Sequence, residues 1–246
     1  MQNDCKRLKS AIYVKIVTNV ILCVLVFLVG ALCIVGTNDD LAVGGEENAL
    51  YRSAGEDGVG VSLMFNVYSG TEEVYAILKT LENHGARATF FIGGCWADDN
   101  VDCLRAIDTA GHEIGNHGYF HKDHSKMTVA QNKKEISDCN RFIELALGKK
   151  ITLFAPPSGA YANETLSACG LLSMTTVLWS KDTIDWRDKN SALIYTRATK
   201  NIAVGDFVLM HPTKATSDAL DDVLNYYEKN NLKAVTVSTN LKGREK

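Results

Sequence analysis

From Val61 onward, short apolar runs alternate with amphipathic stretches, and this alternation is the strongest constraint on the fold. Strand candidates are VSLMFNV from Val61, ATFFIG from Ala88, HEIGNH from His112, ITLFAP from Ile151, MTTVLWS from Met174, DFVLMHP from Asp206 and LKAVTVS from Leu232. Between them lie helical patterns. Val74, Ile77, Leu78 and Leu81 keep a one-sided apolar stripe that Gly85 can end. Thr128 followed by Gln131 is a capping-box pattern that opens a helix burying Ile136, Ile143 and Leu147. Asn163 can cap a short helix ending near Gly170, and Asp218–Asn231 forms the last helix. Alternating strands and helices predict an α/β fold with a parallel sheet, and seven strands suit a barrel-like closure.

Ahead of this domain, Ile16–Gly36 contains no charged residue, and a helix of about 20 apolar residues spans a bilayer. Lys6, Arg7, Lys9 and Lys15 precede the run, while Asp39 and Asp40 follow it. The positive-inside rule then predicts a cytoplasmic segment over 1–15, a single transmembrane anchor over 16–36 and an extracytoplasmic remainder at the cell membrane. The run ends Ala31-Leu32-Cys33, a poor cleavage site for a signal peptide. Residues 37–58, rich in Gly, Asp, Glu and Asn, read as a linker to a domain over 59–246. A net charge of −3 without a basic patch argues against a nucleic-acid partner. The seven cysteines match no zinc spacing, and Cys95 and Cys103 are either a disulfide or buried free thiols.

Polar and unusual residues collect where the strands end. Asn66 closes the first, His117 the third with His121 beyond it, and Pro156-Pro157-Ser158-Gly159 the fourth. Asp182, Asp185 and Trp186 follow the fifth, and His211-Pro212 ends the sixth. Parallel α/β folds build their sites at that end. His117 and His121, four residues apart, can share one metal ion if they lie on a helical turn. His112 is expected within a strand, His124 in a solvated turn and His84 on the surface near a helix end.

These segments resemble the polysaccharide deacetylases, the NodB-homology or carbohydrate esterase 4 group. The resemblance covers about Gly58 to Leu241 and rests on ARATFFIGG, GHEIGNHGYFH, PPSG after Phe154, LWSKDTIDW and GDFVLMHPT. It implies a distorted (β/α) barrel and a divalent metal, often zinc. It also implies hydrolysis of N-acetyl groups on a GlcNAc- or MurNAc-containing polymer, so the expected partner is an acetylated glycan. Residue by residue, it implies His117 and His121 as metal ligands and His211 as the acid that protonates the leaving amine. Asp182 would be the carboxylate that orients His211. Leu209 and Trp186 would wall the acetyl methyl, and Pro157, Ser158 and Asp185 would lie on the substrate side.

The departures cluster. The family's first motif reads T-F-D-D, whereas this chain has Met64-Phe65-Asn66-Val67. Asn66 occupies the base position and Val67 the third-ligand position. Ala155 replaces the Arg that holds the base, and Ser158 replaces a frequent Tyr. Loss of the carboxylate together with the guanidinium is coherent, because either alone is a costly buried charge. The stretch Phe65–Gly70 with Glu72 also resembles a variant subgroup from spore-forming bacteria. Three readings follow: a metallo-deacetylase whose base is supplied by Asp182, Asp185 or Glu72, a non-catalytic glycan-binding domain, and an envelope scaffold.

Overall fold

Ser62–Val67 carry six buried side chains in a row, as expected of a strand covered on both faces. They form β2 of an all-parallel sheet in a computed structural model that describes residues 19–21 and 49–243. The chain divides into two units, Met1–Gly44 and Gly45–Lys246. The predicted anchor lies outside the described residues except for Asn19–Ile21. Among the described residues no helix is long and apolar enough to cross a membrane.

The other strands are β1 (Leu50–Tyr51), β3 (Thr89–Ile92), β4 (Glu113–Asn116), β5 (Leu153–Phe154), β6 (Thr175–Val177), β7 (Lys181–Asp182) and β8 (Phe207–Met210). Their order is β1-β6-β5-β4-β3-β2-β8-β7. The described residues form eight strands rather than about seven, and β1 and β7 are edges, so the sheet curves as a half-barrel without closing. β1 lies within the stretch read as linker. The expected strand from Leu232 is a single bridge, Val61 to Ala234, because Thr236 then caps a helix.

The helices are α1 (Thr71–Asn83), α2 (Gly94–Asp99), α3 (Val101–Thr109), α4 (Val129–Leu147), α5 (Asn163–Leu171), α6 (Asp185–Asp188), α7 (Ser191–Thr199), α8 (Lys214–Lys229) and α9 (Val237–Lys242). α1 buries the predicted Val74, Ile77, Leu78 and Leu81. α4 opens with the predicted box, in which Gln131 donates to Thr128 Oγ1 at 3.3 Å and Thr128 N donates to Gln131 Oε1 at 2.9 Å. α8 begins four residues before Asp218, because Thr213 caps it by accepting from Thr216 N at 3.1 Å. Cys95 and Cys103 are both free.

Strand periodicity divides the core. Leu63, Phe65, Val67, Phe90 and Ile92 pack with the helices, and Phe65 stacks on Phe90 at 5.0 Å. Met64, Phe91, Leu153, Ala155, Val177 and Phe207 form a second cluster. Asn66, two residues from Met64, is on that second face, whereas Val67 is on the helix side.

His84 departs from the expected plain surface residue. Its ring bridges Glu228 (Nδ1, 2.7 Å) and Asp221 (Nε2, 2.9 Å), tying the end of α1 to α8. Burial alone would lower its pKa, but the two carboxylates raise it above the ordinary value of about 6.5. A raised folded-state pKa stabilises most below the unfolded value and is lost as pH climbs through the folded one. The melting-temperature gap between wild type and His84→Gln should therefore be widest below pH ~6 and shrink above neutrality. A pH-independent gap would disprove the clamp.

Candidate functional site

The C-terminal strand ends bring Asn66, His117, His121, Trp186 and His211 around one groove with two lobes. The inner lobe, about 380 Å³, adds Ser158, Trp179, Asp182 and Leu209. The outer lobe, about 590 Å³, adds Tyr68, Lys189, Ser191 and the start of α8. Of the residues expected here, eight line the groove: Asn66, His117, His121, Ser158, Asp182, Trp186, Leu209 and His211. Pro157 and Asp185 do not. Pro157 is buried behind Gly118, whose positive φ of 75° carries the chain from His117 towards His121.

His117 is fixed from behind. Its Nδ1 donates to the carbonyl of Ala155 at 2.7 Å, which leaves Nε2 as a lone-pair donor. Burial pushes its pKa down to about 3 against the opposing pull of that carbonyl, with smaller lowering from His121 and His211. His121, at φ 52°, lies edge-on to His117 with ring centroids 5.1 Å apart, and burial lowers its pKa too. Glu135, a buried carboxylate in α4, anchors this loop by accepting from Phe120 N at 2.5 Å. His124, expected in a solvated turn, is instead fully buried and hydrogen-bonds Asn132 at 2.5 Å. It serves as a floor beneath the loop.

The residue that orients His211 is Asp185, which corrects the assignment to Asp182. Asp185 is completely buried and accepts four hydrogen bonds. These come from His211 Nδ1 (2.7 Å), His211 N (2.6 Å), Thr216 Oγ1 (2.6 Å) and Trp186 N (2.8 Å). Ile184 adopts a left-handed conformation, φ 54°, that turns Asp185 inward. Asp182 remains at the groove wall and accepts from Ile184 N at 2.8 Å. With Nδ1 held by Asp185, His211 is left with Nε2 to meet a ligand. Thr216 and Trp179 were missed by sequence reasoning. Thr216 was legible only as the partner of a helix cap, and Trp179 only as part of LWSKD.

The end of β2 is where the site thins. Asn66 is buried, yet its Oδ1 has no hydrogen-bond partner among the described residues. Val67 is fully buried with the helix-side core. Ala155 is also fully buried and brings no charge. Among the described residues no group of three or more His, Cys, Asp or Glu is placed to hold a metal ion. A catalytic zinc centre takes three protein ligands and keeps one open position. Two imidazoles and one carboxamide oxygen do not fit that requirement, and the carboxylate that shares the inner lobe with Asn66 is Asp182.

The family model for polysaccharide deacetylase matches residues 55–177. YlxY of Bacillus subtilis, described as uncharacterized, is 37% identical over 164 residues, covering 67% of this chain and 51% of YlxY. The peptidoglycan-N-acetylmuramic acid deacetylase PdaC of Bacillus subtilis is 30% identical over 179 residues, 72% of this chain and 38% of PdaC. The chain thus spans about half or less of these two relatives. A crystal structure of a carbohydrate esterase 4 family pseudoenzyme from Bacillus anthracis superimposes with a TM-score of 0.77 at 32% identity, covering 79% of this chain and 69% of that one. A mutant of that pseudoenzyme, described as having restored enzymatic activity, also gives 0.77, at 30% identity and with 79% and 72% coverage.

Proposed function

This chain belongs to the polysaccharide deacetylase family, and from that premise we propose that it binds an N-acetylated cell-wall glycan in the groove without hydrolysing it. One observation carries the reading: β2 presents Asn66, whose carboxamide oxygen has no partner among the described residues, and turns Val67 into the apolar core. His117 and His121 are left without a carboxylate co-ligand, and the groove without a base in the usual place. What remains suits binding. Trp186 offers an exposed indole, Leu209 and Trp179 an apolar wall, and His211 and Asn66 polar contacts at fixed positions. The pseudoenzyme description of the Bacillus anthracis neighbour supports the same reading, and the name of PdaC favours peptidoglycan as the polymer. We further propose that residues 16–36 anchor the chain in the cell membrane, with the domain facing the wall.

The intact His211–Asp185 pair favours a second reading, a hydrolase with an altered base. Zinc titration of the full-length chain separates the two. The binding account expects no tightly held zinc and no acetate release from an acetylated glycan. About one tightly held zinc per chain, with acetate release lost in His117→Ala/His121→Ala, would establish the hydrolase instead.

A further inference from the structure

Trp186 projects from a turn that cannot hold it in place unaided. The indole is 55% exposed and its N–H has no hydrogen-bond partner among the described residues, so its position over the groove is set by the backbone beneath it. That backbone is α6, a single four-residue turn entered through Ile184 at φ 54° and left through Lys189 at φ 47°. Bulky residues rarely adopt the left-handed conformation, and one turn of helix is marginal on its own. Such a turn persists only when its surroundings over-determine it.

At the start of the turn, Asp185 is tied to His211 and Thr216. At its end the tie comes from Arg197, in the last turn of α7. Arg197 Nη1 donates to the carbonyl of Thr183 at 2.8 Å, and Nη2 donates to Asp188 Oδ2 at 2.6 Å. One guanidinium thus spans the turn, from the residue before Ile184 to the last residue of α6. Thr183 is itself fixed to β8, because its Oγ1 donates to Leu209 O at 2.7 Å and its N–H to the same oxygen at 3.3 Å. The Arg197 and Asp188 side chains are 26% and 20% exposed, so the pair is partly shielded from solvent. Arg187 also donates to Asp188, at 2.7 and 3.1 Å, but it is the adjacent residue and ties α6 only to itself. Arg187 and Arg197 hold the Asp188 carboxyl down at about 2, so the pair stays charged to strongly acidic pH.

Resting on the glycan-binding reading above, we propose that Arg197 is a positioning residue for that site: it lines neither lobe, yet it sets where Trp186 stands over the groove, and with it the affinity for ligand. The planar fork is what this role requires, because two of its nitrogens reach acceptors at both ends of the turn at once. A lysine ammonium keeps the charge but not that geometry.

Fluorine NMR and calorimetry on the full-length chain test this together. Labelled with 5-fluorotryptophan, the chain gives one line each for Trp96, Trp179 and Trp186, and Trp186→Phe assigns the third. Arg197→Ala and Arg197→Lys should both shift or broaden the Trp186 line and leave that of Trp96 in place. Arg187→Ala takes the same charge from the same carboxylate and should leave all three lines where they are. In titrations with a soluble N-acetylated peptidoglycan oligomer, Arg197→Ala should weaken binding about tenfold, the fall that a coupling of about 1.4 kcal/mol produces. Arg187→Ala should weaken it less than about twofold. Trp186→Ala/Arg197→Ala should bind no more weakly than Trp186→Ala alone, because Arg197 acts through the indole. An unmoved Trp186 line in both Arg197 variants, or losses that multiply in the double variant, would overturn the assignment. Full affinity in Arg197→Lys would overturn it too, since charge without the fork would then suffice. If wild type binds no oligomer, the proposed function fails, and the fluorine lines alone decide whether Arg197 holds Trp186.

Discussion

Asn66→Asp/Val67→Asp should give the chain a tightly held zinc ion and hydrolysis of an N-acetyl group, neither of which the proposed binding function expects of the wild type. The family resemblance implies a base carboxylate at position 66 and a third ligand at 67, and the rest of the apparatus is present. His117 already has Nδ1 committed to Ala155 O, His121 is beside it, and His211 is fixed on Asp185. Restored general-base catalysis alone contributes about 10²–10⁴-fold, and zinc lowers the pKa of bound water to about 7. A stability signature should accompany the gain. Val67 lies among apolar side chains, so a carboxylate there costs about 3–5 kcal/mol while unpaired. The double variant should melt below wild type without zinc and recover with it, because a ligand that binds only the folded state stabilises it. Adding Ala155→Arg should raise the rate further by pairing the new carboxylate at 66. If the double variant takes up zinc yet releases no acetate, the shape of the groove, rather than its donor set, has been altered.

Asp185→Ala should be among the most damaging single changes in the domain. The carboxylate is fully buried and accepts four hydrogen bonds that join the α6 turn to His211 and the start of α8. Hydrogen bonds to a charged group contribute about 1.5–3 kcal/mol each, and breaking a buried pair costs about 3–5 kcal/mol. A loss of about 3 kcal/mol corresponds to a fall in Tm of roughly 6–12 °C for a domain of this size. Glycan affinity should fall as well, since His211 loses its tether. Asp182→Ala should cost under about 1 kcal/mol in stability, because Asp182 makes one local hydrogen bond, to Ile184 N, at a half-buried position. Equal losses in the two variants would mean that His211 is not held by Asp185.

The choice between these two aspartates shows where sequence reading stopped. Both lie in LWSKDTIDW, Asp182 at the end of β7 and Asp185 just beyond it, and the motif alone does not reveal which one turns inward. The left-handed Ile184 decides it, and a residue such as isoleucine gives no hint of that backbone. Buried strands and amphipathic helices were legible because their periods are written in the side chains: β2, β3, β8, α1 and the capping box of α4 all stand where expected. Two-residue strands carry no period, which is why β1 was hidden in a polar stretch. The run from Leu232 had the composition of a strand, but the cap at Thr236 won. His124 looked solvated because its neighbours are polar, yet Asn132 and Phe154 enclose it. The departures at Asn66, Val67 and Ala155 were visible in the sequence. The structure adds which face each occupies and that Asn66 Oδ1 is left without a partner.

The most direct measurement follows binding and acetate release together in one sample. Full-length chain is mixed with an acetylated peptidoglycan glycan, bound ligand is read by saturation-transfer NMR, and free acetate is read in the same spectra over a day. The account predicts saturable binding with acetate no higher than in a protein-free control. Acetate accumulating beyond the amount of protein present would contradict it, because that requires turnover by a site with Asn66 at the base position and Val67 at the third-ligand position.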